Sequence, residues 1–462
     1  MEIRSIFSYL GSILEVLGVL FLLPVILCLV FNEDLYLQFL IPSIISFILG
    51  IILDKKFEKG DLNLGSAMIL SAITFIFVSL IGSIPFLFYL SPIDALFESV
   101  SGFTTTGLTM INPEGLPYSL LFWRSFTQWI GGVGILIIFI LLISSPGISA
   151  YYIYESEGMM QRIRANIYNT VKRIFVIYGF YTAIGIILLF IVGMPLFDSV
   201  VHTFSSVSTG GFSIKNNSIA FYNNIFVEIV IIFLMIVGAT SFFMHDKILK
   251  GGIKDYLKNK EVQMFWFISI LFSILLSIFL ISSEPIKNGI FHSFSALTTT
   301  GFYTVSNFSE VSKFLLIILM IIGGCVGSTA GGIKIIRVGI ISNAMSWLNK
   351  KISYPVSAVI PFKFDKKTIK EYEVTILSLF ALIYIVILII STLVINLSGY
   401  SFIDSMFISA SAEGTVGLST IDVYSMPIIC KLVLIIDMLL GRLEIIPFMV
   451  LFYSIFSRIR KR

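Results

Sequence analysis

DALFESVSGFTTTGLT, from Asp94 to Thr109, is the stretch that decides the fold, because the chain writes its outline three more times. The copies are DSVVHTFSSVSTGGFS (Asp198 to Ser213), NGIFHSFSALTTTGFY (Asn288 to Tyr303) and DSMFISASAEGTVGLS (Asp404 to Ser419), and they align without a gap. Gly107, Gly211, Gly301 and Gly417 share one column, followed by Leu108, Phe212, Phe302 and Leu418. Two residues before the glycines stand Thr105, Thr209, Thr299 and Thr415, and six before stand Ser101, Ser205, Ser295 and Ser411. Ser99, Thr203, Ser293 and Ser409 lie eight before, and Asp94, Asp198, Asn288 and Asp404 thirteen before. A chain compared with itself in this way shows an internal repeat without a second protein. A lone Thr-Thr-Gly would read as small residues packing helices together; four copies in register do not.

The spacing says what each copy is. Asp and Asn are good N-caps, and the eleven residues from that column to the threonine make a helix of ~16 Å, about half a hydrocarbon core. Each copy is therefore expected to be a re-entrant half-helix that enters from outside, stops near mid-membrane and returns through an extended Thr-x-Gly-Leu/Phe strand. Extended backbone at that depth is tolerated only where it is buried in protein or lines a watery cavity.

The surroundings fit a membrane. Of 462 residues 57% are hydrophobic and 13% charged, and the mean hydropathy is +0.99. Ten spans are expected, near 12–30, 37–53, 66–90, 119–143, 174–193, 223–244, 262–281, 314–337, 373–397 and 428–456. That excludes a soluble enzyme, a secreted disulfide scaffold and a nucleic-acid binder, the net charge of +4 reflecting loop bias. Cys28, Cys325 and Cys430 have no paired spacing and read as core thiols. The first span carries Glu15 and no small-residue cleavage site, so it reads as retained.

With the N-terminus inside, 26 of the 31 lysines and arginines fall on the inner side, leaving Arg124, Lys215, Lys287, Lys313 and Lys431 outside. Both termini are expected in the cytoplasm of a multi-pass protein of the cytoplasmic (inner) cell membrane. All four repeats then run in the same sense, which implies rotation about the membrane normal. The expected architecture is an all-α polytopic membrane protein: two N-terminal transmembrane helices (1–60), then four helix, re-entrant pore-loop, helix units at 61–147, 148–252, 253–345 and 346–462, with pseudo-fourfold symmetry around one ion pore.

Four such strands present rings of backbone carbonyls, with threonine hydroxyls, that replace the hydration shell of a monovalent cation. The candidate ion-binding residues are Thr105, Thr106, Gly107, Thr209, Gly210, Gly211, Thr299, Thr300, Gly301, Thr415, Val416 and Gly417. Half-helix C-termini, each carrying roughly half a negative charge, favour a cation in the cavity below. Thr415-Val416-Gly417-Leu418 comes closest to the Thr-Val-Gly-Tyr opening of potassium-channel filters, but no copy has that filter's second glycine. Fewer ordered sites and looser discrimination are expected.

These residues resemble the Trk/Ktr/HKT superfamily of potassium uptake proteins, and its TrkH type in particular. The resemblance is carried by Asp94 to Thr109, WRSFTQWIGGVG (Trp123 to Gly134), STGGFS (Ser208 to Ser213), GSTAGGIK (Gly327 to Lys334) and EGTVGLS (Glu413 to Ser419), and covers roughly 60–457. The two extra spans before the first repeat look like the TrkH type. The resemblance implies potassium as transported ion, no cofactor, and a homodimer with one pore per protomer, gated by a cytoplasmic nucleotide-binding subunit of the TrkA kind.

In the third unit Gly323, Gly324, Gly327, Gly331 and Gly332, with Ser328, Thr329 and Ala330 among them, interrupt the inner helix, where each glycine would cost ~1 kcal/mol against alanine. A mid-membrane loop that occludes the pore is expected, as the resemblance also implies; a glycine-rich packing face is the alternative, and glycines recur at Gly131, Gly238 and Gly441. Arg442 is either a barrier beneath the filter, as in the family, or the partner of Asp437 or Glu444. Lys334 matches the family's lysine after the gate loop, or is a snorkelling anchor. Glu98 and Glu413 either draw cations to the mouth or accept from backbone amides behind the strands. His202 and His292 read as packing residues, and His245 gives no signal.

No His-Glu-x-x-His, nucleophile elbow or Walker lysine motif is present, so no enzyme is expected. A potassium symporter coupled to protons or sodium is the alternative to a channel-like pore. The basic segments 155–173, 246–261 and 342–371 serve as lipid anchors or as the docking surface of a gating partner.

Overall fold

The computed structural model describes residues 2–134, 167–355, 360–365 and 367–459. The second half of the span expected at 119–143, and Arg162, Arg164 and Lys366 of the basic segments, lie outside the described residues. Within them, six helical stretches are long and apolar enough to cross a bilayer: Arg4–Phe31, Tyr36–Lys56, Leu64–Phe88, Asn169–Ile191, Lys260–Phe279 and Glu371–Leu397. They are the two N-terminal helices and the first helix of each repeat.

The N-terminal stretch is two helices, α1 (Glu2–Leu20) and α2 (Leu22–Phe31), with a seam beside Pro24, which has no N–H to donate back to Leu20. It starts ten residues before the expected position 12, because the polar start is sheltered: Ser8 donates to Asp54 at 2.9 Å near the end of α3 (Tyr36–Lys56). Gly11 and Gly50 let α1 and α3 approach backbone to backbone.

The repeats follow as α4 (Leu64–Gly82), half-helix α5 (Pro92–Phe103) and α6 (Tyr118–Val133); α7 (Ile167–Ile191), half-helix α8 (Leu196–Val207) and α9 (Ile225–Ala239), continued by α10 (Phe242–Leu249) and α11 (Ile253–Lys258); α12 (Lys260–Phe279), half-helix α13 (Pro285–Leu297), α14 (Glu310–Ile322) and α15 (Ile335–Ser353); and α16 (Glu371–Leu397), half-helix α17 (Phe402–Glu413), α18 (Ile428–Arg442) and α19 (Ile446–Ile459). The half-helices have 12 or 13 residues, ~18–20 Å. Their N-caps are Ser91, Pro195, Glu284 and Ser401, so the expected Asp/Asn caps stand inside the first turn. Ser91 and Ser401 accept from the Asp94 and Asp404 amides and donate to their carboxylates at 2.8 and 2.6 Å, which is why both residues recur.

The second helices of the second and fourth repeats depart most from expectation. A break was expected only within 314–337, where α14 stops at Ile322 and α15 starts at Ile335. The spans expected at 223–244 and 428–456 are broken as well: α10 turns 108° from α9 at Thr240 and Ser241, and α18 gives way to α19 through Glu444 and Ile445, both at positive φ of 58° and 65°. These breaks contain neither proline nor glycine.

One small sheet joins these helices. β1 (Phe362–Phe364) pairs antiparallel with β2 (Lys367–Ile369), and Phe362 and Phe364 pack with Ile340 and Trp347 of α15, giving part of the basic segment 342–371 its own core.

Candidate ion pathway

The four threonine-glycine segments close a ring. A Cβ on Gly107 would strike the carbonyl oxygen of Gly210, one on Gly211 that of Thr300, one on Gly301 that of Val416, and one on Gly417 that of Thr106. Each strand thus leans on the next, and the fourth returns to the first. All four glycines have positive φ, from 75° to 92°, so they are required both by conformation and by space. Thr105, Thr209, Thr299 and Thr415 share φ between 52° and 57°. Such a φ is unusual for a β-branched residue, and it recurs within 5° in all four copies.

Each strand is tied to its own half-helix. The amides of Thr106, Gly210, Thr300 and Val416 donate to the carbonyls of Ser101, Ser205, Ser295 and Ser411 at 2.7–2.9 Å. Ser101 and Ser411 also accept from Gly107 and Gly417 at 3.0 Å. Ser99 and Ser293 dock their half-helices on the Ser79 and Ser269 carbonyls of the preceding helix. Gly131, Gly238 and Gly441 bring the second helices against the carbonyls of Phe103, Val207 and Glu413, where a side chain would collide.

Charged and polar residues stand behind the strands. Glu98 accepts from Met110 N–H at 2.7 Å and from Arg124 Nε at 2.8 Å, both side chains fully buried, and Arg124 donates to the Ser213 carbonyl over the Phe212 ring. This is the amide-binding use expected for Glu98. Glu413 does not share it: it is buried, and neither carboxylate oxygen has a hydrogen-bond partner among the described residues. Gln128 grips the second strand, donating to Gly210 O at 2.6 Å and accepting from Phe212 N at 3.1 Å. Arg124 and Gln128 received no role from the sequence, although a cation and an amide inside an apolar span are a signal. His202 and His292 brace the return strands through Ser213 and the Thr304 and Val305 amides, and no metal-binding group of three or more His, Cys, Asp or Glu occurs among the described residues.

Above the ring a cavity of about 280 Å³ is lined by Gly107, Gly211, Gly301 and Gly417 together with Arg124 and Asp422. Beneath it, among the described residues, a small pocket of about 20 Å³, room for about one water, lies between Ser328, Gly331, Lys334, Gly441, Arg442 and Glu444. Ser328, Ala330, Gly331 and Lys334 of the expected loop line it. Residues 323–334 reach the threonines directly: Gly331 N donates to Thr299 Oγ1 at 2.8 Å, Thr209 Oγ1 to Thr329 Oγ1 at 3.2 Å, and Arg442 donates to Thr105 Oγ1 at 3.3 Å. Arg442 also donates to the carbonyls of Thr329 (2.8 Å), Gly132 (2.9 Å) and Gly131. Of the acids that compete for it, Glu444 pairs with Arg337 and Asp437 accepts from Ser391. Lys334 is not a snorkelling anchor: it is 5% exposed and its ammonium is bound by the Ala330 carbonyl of the loop.

The comparisons with known proteins bear on this arrangement. The pattern of the family described as TrkH, cation transport protein, matches residues 37–458. The chain belongs to this TrkH family. An uncharacterised cation transporter of Methanocaldococcus jannaschii is 38% identical over 99% of the chain and 97% of its own length. The Trk system potassium uptake protein TrkH of Salmonella typhimurium is 28% identical over 99% of the chain and all of its own length. The crystal structure of the potassium transporter TrkH from Vibrio parahaemolyticus superposes with a TM-score of 0.88 at 26% identity, covering 98% of both chains. The TrkH family member described here is thus a multi-pass membrane transporter and not an enzyme, with the fold read from its four repeats.

Proposed function

We propose that this chain takes up potassium through a channel-like pore, its filter being the ring at Thr105–Gly107, Thr209–Gly211, Thr299–Gly301 and Thr415–Gly417. The observation that carries the reading is the closure of that ring, each glycine facing the carbonyl of the next strand. A carbonyl ring fed by four half-helix C-termini suits a weakly hydrated monovalent cation. The loop from Gly323 to Lys334, with Arg442, is the gate: it occupies the space below the threonines and puts a guanidinium on the cation's route. The pore units are 61–147, 148–252, 253–345 and 346–462 after two helices at 1–60, the termini lie in the cytoplasm, and the membrane is the cytoplasmic one. The chain acts as a homodimer, and a TrkA-type subunit opens the gate from the basic side, where α10, its C-cap Lys250 and α11 carry Lys247, Lys250, Lys254 and Lys258.

The test is potential-driven rubidium uptake into liposomes, with potassium, sodium and lithium as competitors. Uptake blocked by potassium and indifferent to sodium in the parent chain, with that preference lost in Gly417→Ser, supports the filter. Uptake that requires a proton or sodium gradient makes the protein a symporter, and no flux even with the nucleotide-binding partner present removes the pore reading.

A further inference from the structure

Four hydrogen bonds hold the loop from Gly323 to Lys334 against the corner between α9 and α10. Cys325 N donates to Ala239 O at 3.0 Å, Thr329 N to Gly238 O at 3.1 Å, Thr329 Oγ1 to Gly238 O at 2.9 Å, and the Phe242 amide to Gly327 O at 3.0 Å. These are contacts within the membrane-embedded core. Besides these and the bonds to the ring threonines and Arg442, one bond comes from the start of the third repeat. Val326 N donates to Glu261 Oε1 at 2.7 Å, and Glu261 lies in the first turn of α12, 8% exposed. Lys334 and Arg337, at the far end of the same loop and the start of α15, are within electrostatic reach of that carboxylate. Glu261 therefore touches the loop near its start and attracts its end.

Its position in the chain matters as much. α11 (Ile253–Lys258) and Asn259, which caps α12 by accepting from Val262 N–H, directly precede it. A displacement of α11 is carried through two residues to the carboxylate. The α9–α10 corner that makes the other four bonds leads through α10 into the same α11. The α9–α10 corner and Glu261 thus converge on one short, exposed surface segment.

We infer that Glu261 is a positioning residue of the gate, holding the Gly323–Lys334 loop shut, and that α11 is the handle through which it is released. The inference rests on the gate reading above, and the test separates the two. Cys325 sits in the loop, 1% exposed, and reports its release independently of ion flux. Cys28 and Cys430 are replaced by Ala, and the liposome-reconstituted protein is treated with a charged methanethiosulfonate reagent. Removing a hydrogen bond to a charged acceptor shifts the closed loop's equilibrium by roughly tenfold or more. Glu261→Ala is accordingly expected to raise both Cys325 labelling and basal rubidium uptake about tenfold, with the potassium preference unchanged because no bond of the ring is lost. Glu261→Gln keeps the acceptor oxygen and is expected to restore slow labelling in large part, which a general loosening of the fold would not allow. Unchanged Cys325 labelling in Glu261→Ala overturns the assignment. Faster labelling without faster uptake upholds Glu261 as the loop's holder and overturns the loop as the gate.

Discussion

At the scale of single residues, the ring is uneven in a way its four similar sequences conceal. Gly210 is the one position before the conserved glycines without a side chain, and Gln128 fills that room, its amide within hydrogen-bond distance of both Gly210 O and Phe212 N. Gln128→Leu keeps the volume and strands a buried carbonyl and amide, a penalty of ~1–3 kcal/mol per group. The expected outcome is sustained rubidium uptake with weakened discrimination against sodium, measured by competition. In the proposed pore Arg442 acts on passage rather than on choice. Its guanidinium ties Thr105 of the first strand, Gly131 and Gly132 of α6 and Thr329 of the loop to α18. Arg442→Ala is expected to raise basal uptake several-fold and to leave the potassium preference intact; a fall in uptake would place the arginine among the residues that merely hold the fold. Most of this site was legible in the sequence, because the columns of Thr and Gly recur and a recurrence needs no structure to be seen. Glu413 shows where such reading stops: it precedes its strand in a position occupied by Phe103, Val207 and Leu297 in the other copies, and nothing in its spacing announces a carboxylate without partners.

At the scale of elements, the first helices of the repeats were legible and the second ones were not. An unbroken apolar run fixes a span, but the breaks at Thr240 and at Glu444 come from tertiary contact, where α9 and α18 press on the last carbonyls of α8 and α17 and must then turn away. The break at Gly323 was visible only because that unit spends five glycines on it. The same contrast governs how the half-helices are held. α5 is fastened to α6 by the fully buried Arg124–Glu98 pair, and α17 to α14 by Lys313–Asp404 at 2.8 Å, near the surface. Removing one partner of a buried pair leaves an uncompensated charge, so Arg124→Met is expected to cost about 3–5 kcal/mol. The double change Glu98→Gln with Arg124→Met removes the charge as well and is expected to recover much of that loss. Thermal unfolding of both variants in detergent measures the difference, and equal destabilisation by single and double changes would show that the pair contributes through packing alone.

At the scale of the whole molecule, the proposed reading sets a cavity of about 280 Å³ above the ring and a pocket of about 20 Å³ below it on either side of one shut gate in a single pathway. A pathway of that kind has no need of a second ion. On the proposed reading the membrane potential is the drive the chain uses. An inside-negative potential of ~100 mV provides ~2.3 kcal/mol per unit charge, which corresponds to roughly 50-fold accumulation of a monovalent cation. In liposomes whose potential is set by a known gradient, rubidium is therefore expected to accumulate to the ratio that potential dictates and to stop there, whatever the pH or the sodium gradient. Coupling one proton or sodium ion to each potassium would roughly double the electrical drive, squaring that ratio, and would add the chemical gradient of the second ion. The plateau reads stoichiometry directly, and it does so even if the gate makes the approach slow. A plateau that follows the imposed potential alone identifies a pore; one that rises when a proton or sodium gradient is added identifies a coupled carrier built on the same ring.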